Sequence, residues 1–89
     1  MKVQDFKKLP SFPGVYFFRN KDNSVIYVGK AIDLYHRITY YFSASIKNPK
    51  TTSLVSEIGS VDTVVVESEL EALILEANLI KKYLPLFNI

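Results

Sequence analysis

The chemistry in this chain is concentrated in a carboxylate, two phenols and a short basic stripe. Glu76 falls within the longest helical pattern. At about 100° per residue, Leu70, Leu73, Ile74, Ala77, Ile80 and Leu84 make one apolar stripe, and Ala72, Leu75, Leu79 and Tyr83 make a second. Glu71, Asn78, Lys81 and Lys82 mark the solvent edge, which leaves Glu76 between the two stripes and turned away from water. A carboxylate in such a place costs several kcal/mol unless it is paired, hydrogen-bonded or bound to a cation. The pattern therefore leaves two readings open, a buried salt bridge with an arginine or lysine and a metal ligand at the bottom of a cleft. Glu69 points in a similar direction, but it lies in the first helical turn, where a negative charge is ordinary.

The phenols come from two β-rich runs, Val15 to Arg19 and Ser24 to Gly29, separated by the turn-forming Asn20-Lys21-Asp22-Asn23. A hairpin turning symmetrically about Lys21-Asp22 sets Tyr16 directly opposite Tyr27, on the same face as Phe18 and Val25. Val15, Phe17, Ile26 and Val28 then take the other face, the natural core side. A one-residue change in the turn would separate the tyrosines, and cross-strand tyrosine packing is also common without any chemistry. The basic stripe is Lys30, Arg37 and Tyr41. Arg37 and Tyr41 are i, i+4 neighbours, and Lys30 precedes Arg37 by two turns if helical geometry reaches that far back. Arg37 could equally form a surface bridge with Asp33.

A carboxylate, two phenols, a guanidinium and an ammonium suit phosphodiester hydrolysis with one divalent metal. A carboxylate can hold Mg²⁺, which keeps most of its waters and needs few protein ligands. Arginine can neutralise charge developing on phosphorus. A tyrosine, with an ordinary pKa of about 10, must be activated before it takes a proton from water.

The elements that must carry these groups are legible in outline. Leu9-Pro10 through Pro13-Gly14 is a rigid lead-in to the hairpin. A helix runs from about Asp33 to Phe42 with Asp33 as N-cap. Ser43 to Lys50 is a polar loop. Asn48-Pro49 starts a short helix bearing Leu54, Val55 and Ile58, which Gly59 stops. Val61 to Glu67 is a third strand. The final helix runs from Ser68 or Glu69 to Tyr83, with Ser68 and Glu71 at capping-box spacing and Pro85 at its end. The order ββααβα describes an α+β fold, a small three-stranded antiparallel sheet flanked by helices.

Composition removes competing chemistries. The 89 residues make one domain. With 48% hydrophobic and 13% aromatic residues, the chain can fold unaided. It has no cysteine and a single histidine, His36, so thiol catalysis, disulfides, cysteine zinc sites and paired-histidine sites are excluded. No apolar run approaches the ~20 residues of a membrane span, and no signal peptide is recognisable, so a cytoplasmic location is expected. The net charge of +2 does not by itself argue for nucleic acid. The distribution is more telling, because only Lys81 and Lys82 of eleven cations follow Lys50, whereas six of nine acids do. Lys47 and Lys50 in the basic half join Lys30 and Arg37 as candidate DNA contacts.

Five separated segments resemble the GIY-YIG nuclease family in its UvrC-like branch. Gly14-Val15-Tyr16 and Tyr27-Val28-Gly29-Lys30-Ala31 are similar to the two halves of its motif. Arg37 follows in the first helix, Glu76 lies in Leu75-Glu76-Ala77-Asn78-Leu79-Ile80-Lys81-Lys82, and Pro85-Leu86-Phe87-Asn88-Ile89 resembles the closing segment, commonly Pro-x-Tyr-Asn. The resemblance implies that Tyr16 and Tyr27 line the site, Tyr27 being favoured as general base, that Arg37 stabilises the transition state, and that Glu76 binds one Mg²⁺ or Mn²⁺. Lys30, Tyr41 and Asn88 would support them. It also implies damaged double-stranded DNA as substrate and the 3′-side cut of bacterial nucleotide excision repair. UvrB would be a partner, with UvrA acting upstream, through parts of a longer protein, and the 89 residues would be a monomeric N-terminal fragment of it. Two alternatives stand beside this reading: a homing, restriction or structure-specific branch of the family, and a non-catalytic nucleic-acid-binding module.

Overall fold

In the computed structural model, residues 6–43 and 48–88 are described, and they form a three-stranded antiparallel sheet with helices on both faces. The strands are β1 (Gly14–Arg19), β2 (Val25–Ala31) and β3 (Ser60–Val65), in the order β2-β1-β3. The helices are α1 (Leu34–Tyr41), α2 (Pro49–Glu57) and α3 (Glu69–Tyr83). Short 3₁₀ turns at Phe6–Lys8 and Leu86–Asn88 flank this body.

The central strand accounts for the two-sided architecture. β1 is apolar at every position from Val15 to Phe18, so both of its faces require cover. One face carries Tyr16, Phe18 and Ile26 against Leu34, Ile38 and Tyr41 of α1 and Leu54 of α2. The other carries Val15, Phe17 and Val28 against Ala72, with Leu75, Leu79 and Ile80 of α3 packed around them. The expectation that the Val15 and Phe17 face is the core side is thus extended, because the tyrosine face is core as well. Tyr16 is only 1% exposed.

The hairpin register also departs from the symmetric turn. Tyr16 pairs with Gly29, and Phe18 with Tyr27. Asn20 organises the turn, its Oδ1 accepting from the backbone N–H groups of Asp22 and Ser24 at 3.0 Å each. Asn23 turns the chain back with φ of 67°, a left-handed conformation that asparagine tolerates. The register then shifts between Phe18 and Arg19, where β2 carries an extra residue. That bulge exchanges the faces of two residues. Ile26 joins Tyr16 and Phe18, and Val25 packs on the α3 side, the reverse of strict alternation. Tyr16 and Tyr27 still share a face because the main register has slipped by two residues.

The helices begin where their caps lie. Asp33 accepts from the His36 N–H, Asn48 from the Thr51 N–H and Ser68 from the Glu71 N–H. α3 ends at Leu84, itself left-handed with φ of 46°, just before the buried Pro85. Gly59 is no helix stop. It lacks a positive φ, and Ile58 is the C-cap of α2. Its N–H bonds the Arg19 carbonyl at 2.7 Å, and a side chain there would press on the Asn20–Lys21 backbone.

Candidate active site

Three phenols meet on the α1 face of the sheet. The rings of Tyr16, Tyr27 and Tyr41 lie 6.0 to 6.3 Å from one another, and the Tyr16 and Tyr41 hydroxyls are hydrogen-bonded at 3.0 Å. Each comes from a different element. β1 supplies Tyr16, β2 supplies Tyr27 and the last turn of α1 supplies Tyr41. Phe18 fills the space beneath, 5.0 Å from the Tyr41 ring and edge-on to it.

Arg37, one turn before Tyr41, completes the group. Its guanidinium lies 5.4 Å from the centre of the Tyr41 ring and 5.9 Å from that of Tyr40. It also interacts with the Tyr16 hydroxyl, which holds the Arg37 charge more firmly than usual. The alternative bridge to Asp33 does not form. Asp33 is engaged by His36, with the ring Nδ1 2.8 Å from Oδ2.

Ionisation divides the phenols by depth. Burial raises the pKa of Tyr16 far above its ordinary range, and Tyr41 reinforces the shift. Tyr27 is pushed up to about 12, chiefly by burial and then by Tyr41, while the Arg37 charge opposes the rise and the Glu76 charge adds to it. Glu76 belongs to α3, which packs on the opposite side of the sheet from α1. It is half-buried rather than enclosed. The apolar stripe expected to flank it is largely in solvent, with Leu70, Leu73 and Ile74 exposed by 64%, 49% and 54%. α3 buries the Ala72, Leu75 and Leu79 side instead, so Glu76 sits at the edge of the packed face.

Asn88 uses both ends of its amide on β2. Its Oδ1 accepts from the Val28 N–H and its Nδ2 donates to the Val28 carbonyl, both at 2.8 Å. β2 is an edge strand, so this side chain acts as a one-residue continuation of the sheet next to Tyr27. Tyr27, Arg37, Tyr41, Lys50, Thr51, Leu54 and Phe87 line a pocket of about 220 Å³. Leu54, Thr51 and Phe87 had no chemical signal in the sequence. They were legible only as helix and closing-segment residues.

One expected member lines a different cavity. Lys30 belongs to β2, opposite Val15, and not to an extension of α1 carrying Arg37. The strand continues to Ala31, so the alternation turns Lys30 toward α3, where it lines a second cavity with Glu69. Lys47 lies outside the described residues.

The donor set fits one divalent cation of the magnesium type. The described residues include no cluster of three or more His, Cys, Asp or Glu that could enclose a metal. A single half-buried carboxylate is what a cation keeping most of its waters requires. Among the described residues no helix is long and apolar enough to cross a membrane.

A small antiparallel sheet covered on both faces, with a phenol–guanidinium cluster on one face and a half-buried carboxylate on the helix that packs on the other, is the arrangement of a GIY-YIG-type domain. Residues 12–89 match the model of the UvrC-like GIY-YIG domain, and the chain belongs to that family. UvrABC system protein C of Pseudoalteromonas translucida is 52% identical over 87 residues, and that of Clostridioides difficile is 50% identical over 88. These matches take in 98% and 97% of this chain, but only 14% of each relative. The GIY-YIG N-terminal endonuclease domain of UvrC from Thermotoga maritima, solved with its catalytic magnesium, has a TM-score of 0.86 and 41% identity over the whole of both chains. An asparagine-to-alanine mutant of that domain, bound to its catalytic divalent cation, covers 100% of this chain and 99% of its own at 40% identity and a TM-score of 0.86.

Proposed function

We propose that this domain hydrolyses phosphodiester bonds in DNA as a divalent-metal-dependent endonuclease, and that within a longer protein it makes the 3′-side incision of nucleotide excision repair. The observation that carries the reading is the convergence of Tyr27, Tyr41 and Arg37 on one pocket. The excision-repair assignment rests on the likeness to UvrABC system proteins of which this chain spans 14% of the length. Damaged duplex DNA and the UvrB partner belong to that longer assembly, and the domain itself works as a monomer.

Each residue has a distinct task in this mechanism. Arg37, beside the pocket and fixed by the tyrosine rings, binds a non-bridging phosphate oxygen and neutralises charge as the phosphorus is attacked. Tyr27 faces the pocket and takes the proton from the attacking water, whereas Tyr16 is sealed beneath and holds Tyr41 and Arg37 in place. Glu76 is the ligand for Mg²⁺ or Mn²⁺. When bound, the cation supplies Lewis-acid stabilisation of the phosphate and lowers the pKa of nearby groups. Lys50 at the rim, with Lys47 and Lys30, steers the DNA backbone. Asn88 is a positioning residue, since both of its polar atoms are used on Val28.

The test is single-turnover cleavage of a labelled duplex by excess protein in Mg²⁺ or Mn²⁺. Cleavage by the parent, lowered roughly a hundredfold or more in Arg37→Ala and Tyr27→Phe, supports the assignment. Equal rates in the parent and both variants would contradict it.

A further inference from the structure

Lys30, Ala31, Ile32, Glu69 and Ala72 line an open cavity of about 250 Å³ that the mechanism above uses only through Lys30. It lies where the end of β2 meets the first turns of α3, on the face opposite the tyrosines. Ala72 is 2% exposed and gives a small, apolar floor. Ile32, 68% exposed, offers a large apolar wall to whatever enters. The two polar side chains are of opposite sign, one ammonium and one carboxylate.

We infer that this cavity receives a single unstacked nucleobase bearing an exocyclic amine, cytosine, adenine or guanine rather than thymine, from the strand being cut. The inference rests on the nuclease reading for the presence of DNA. The volume is roughly eight times the ~30 Å³ that one water takes in the liquid, ample for one flat base with solvent beside it. An apolar floor and wall suit the flat face of a base, which gains from stacking and from shelter against water. The Glu69 carboxylate can only accept hydrogen bonds when ionised, so it pairs with an amino group and opposes a carbonyl oxygen. Lys30, the cation of the set, is placed to hold the phosphate attached to that nucleotide.

Position along the strand supports the same occupant. Lys30 follows Tyr27 by three strand residues, about 10 Å at the rise of a β-strand. A nucleotide next to the scissile phosphate can span that distance around the edge of β2. Apolar side chains inserted between base steps unstack them in bound DNA, and the exposed Ile32 is a side chain of that kind.

Amide chemical shifts of the protein test this directly, titrated with deoxycytidine monophosphate, thymidine monophosphate and deoxyribose 5-phosphate in the absence of metal. The inference predicts shifts at Ala31, Ile32 and Ala72 with deoxycytidine monophosphate, none there with deoxyribose 5-phosphate, and weaker binding of thymidine monophosphate. Ile32→Ala and Glu69→Ala, both at exposed positions, should each weaken the cytosine ligand about tenfold or more. Equal shifts with the base-free sugar phosphate would reduce the cavity to a phosphate contact and overturn the inference, as would no shifts or indifference to both substitutions. These readouts involve neither metal nor cleavage, so failure of the nuclease assignment registers separately, in the cleavage assay.

Discussion

Tyr16 stands directly across the hairpin from Gly29, and its phenol ring occupies the space that a side chain at Gly29 would take. The second glycine of the hairpin motif is thus a consequence of the first tyrosine. Only a residue without Cβ lets the ring lie flat on β2 and reach Tyr41. Gly29→Ala should force the ring aside, destabilising the domain by about 1–3 kcal/mol and lowering cleavage along with it. A urea titration of the variant checks the first effect. An unchanged midpoint would mean that the ring can lie elsewhere.

The clamp of Asn88 on Val28 gives an independent prediction about the strand edge. Asn88→Ala removes two hydrogen bonds from a part-buried backbone pair and should destabilise the fold by about 1–3 kcal/mol. Hydrogen exchange localises it. The Val28 amide, protected in the parent, should exchange far faster in the variant, while amides in β1, the central strand, stay protected.

Alkaline pH should weaken the fold through its buried phenols. Tyr27 ionises at about 12 in the folded chain and at about 10 when unfolded. Its contribution to stability is therefore complete below pH 10 and is lost as pH rises through 12, because the unfolded chain releases its proton first. The urea midpoint should fall across that window, and by less in Tyr27→Phe. The raised pKa also bears on catalysis. A neutral Tyr27 must be deprotonated to act as base, so single-turnover cleavage should accelerate as pH rises above neutrality, and Tyr27→Phe should flatten the profile.

The outer face of α3 makes a contrasting prediction. Leu70, Leu73 and Ile74 are exposed, and Leu84 beyond the helix is 77% exposed. Ile74→Lys should leave the urea midpoint within about 0.5 kcal/mol of the parent, whereas Ala72→Asp, placing a carboxylate in the packed face, should unfold the chain. A large loss in Ile74→Lys would show that the outer stripe is packed in solution.

The sequence revealed the elements better than the faces they present. Asp33, Asn48 and Ser68 marked the three helix starts because capping is local chemistry, settled within one turn. The register was less accessible. It depends on a left-handed Asn23 and an extra residue in β2, and periodicity cannot locate a bulge that exchanges Val25 and Ile26. α3 misled in a different way. With apolar stripes on both sides of Glu76, its pattern did not identify the buried side, and the choice was made by Val15, Phe17 and Val28, distant in sequence. Lys30 was misplaced for the same reason, since spacing alone continued α1 backwards into what is β2. The tyrosines, Arg37 and Glu76 were legible as chemical types, but their depth was not. Tyr16 is buried and Tyr27 faces the pocket because β1 is central and β2 is an edge.

Calorimetric titration of Mn²⁺ into the domain and into Glu76→Gln decides whether Glu76 is the metal ligand of a nuclease site. Glu76 is half-buried at a helix edge, so the amide should be accommodated without loss of the fold. The account predicts a saturable heat with one ion per chain in the parent and its disappearance in the variant. Equal heats in both proteins, or none in either, would leave Glu76 a structural carboxylate and contradict the assignment.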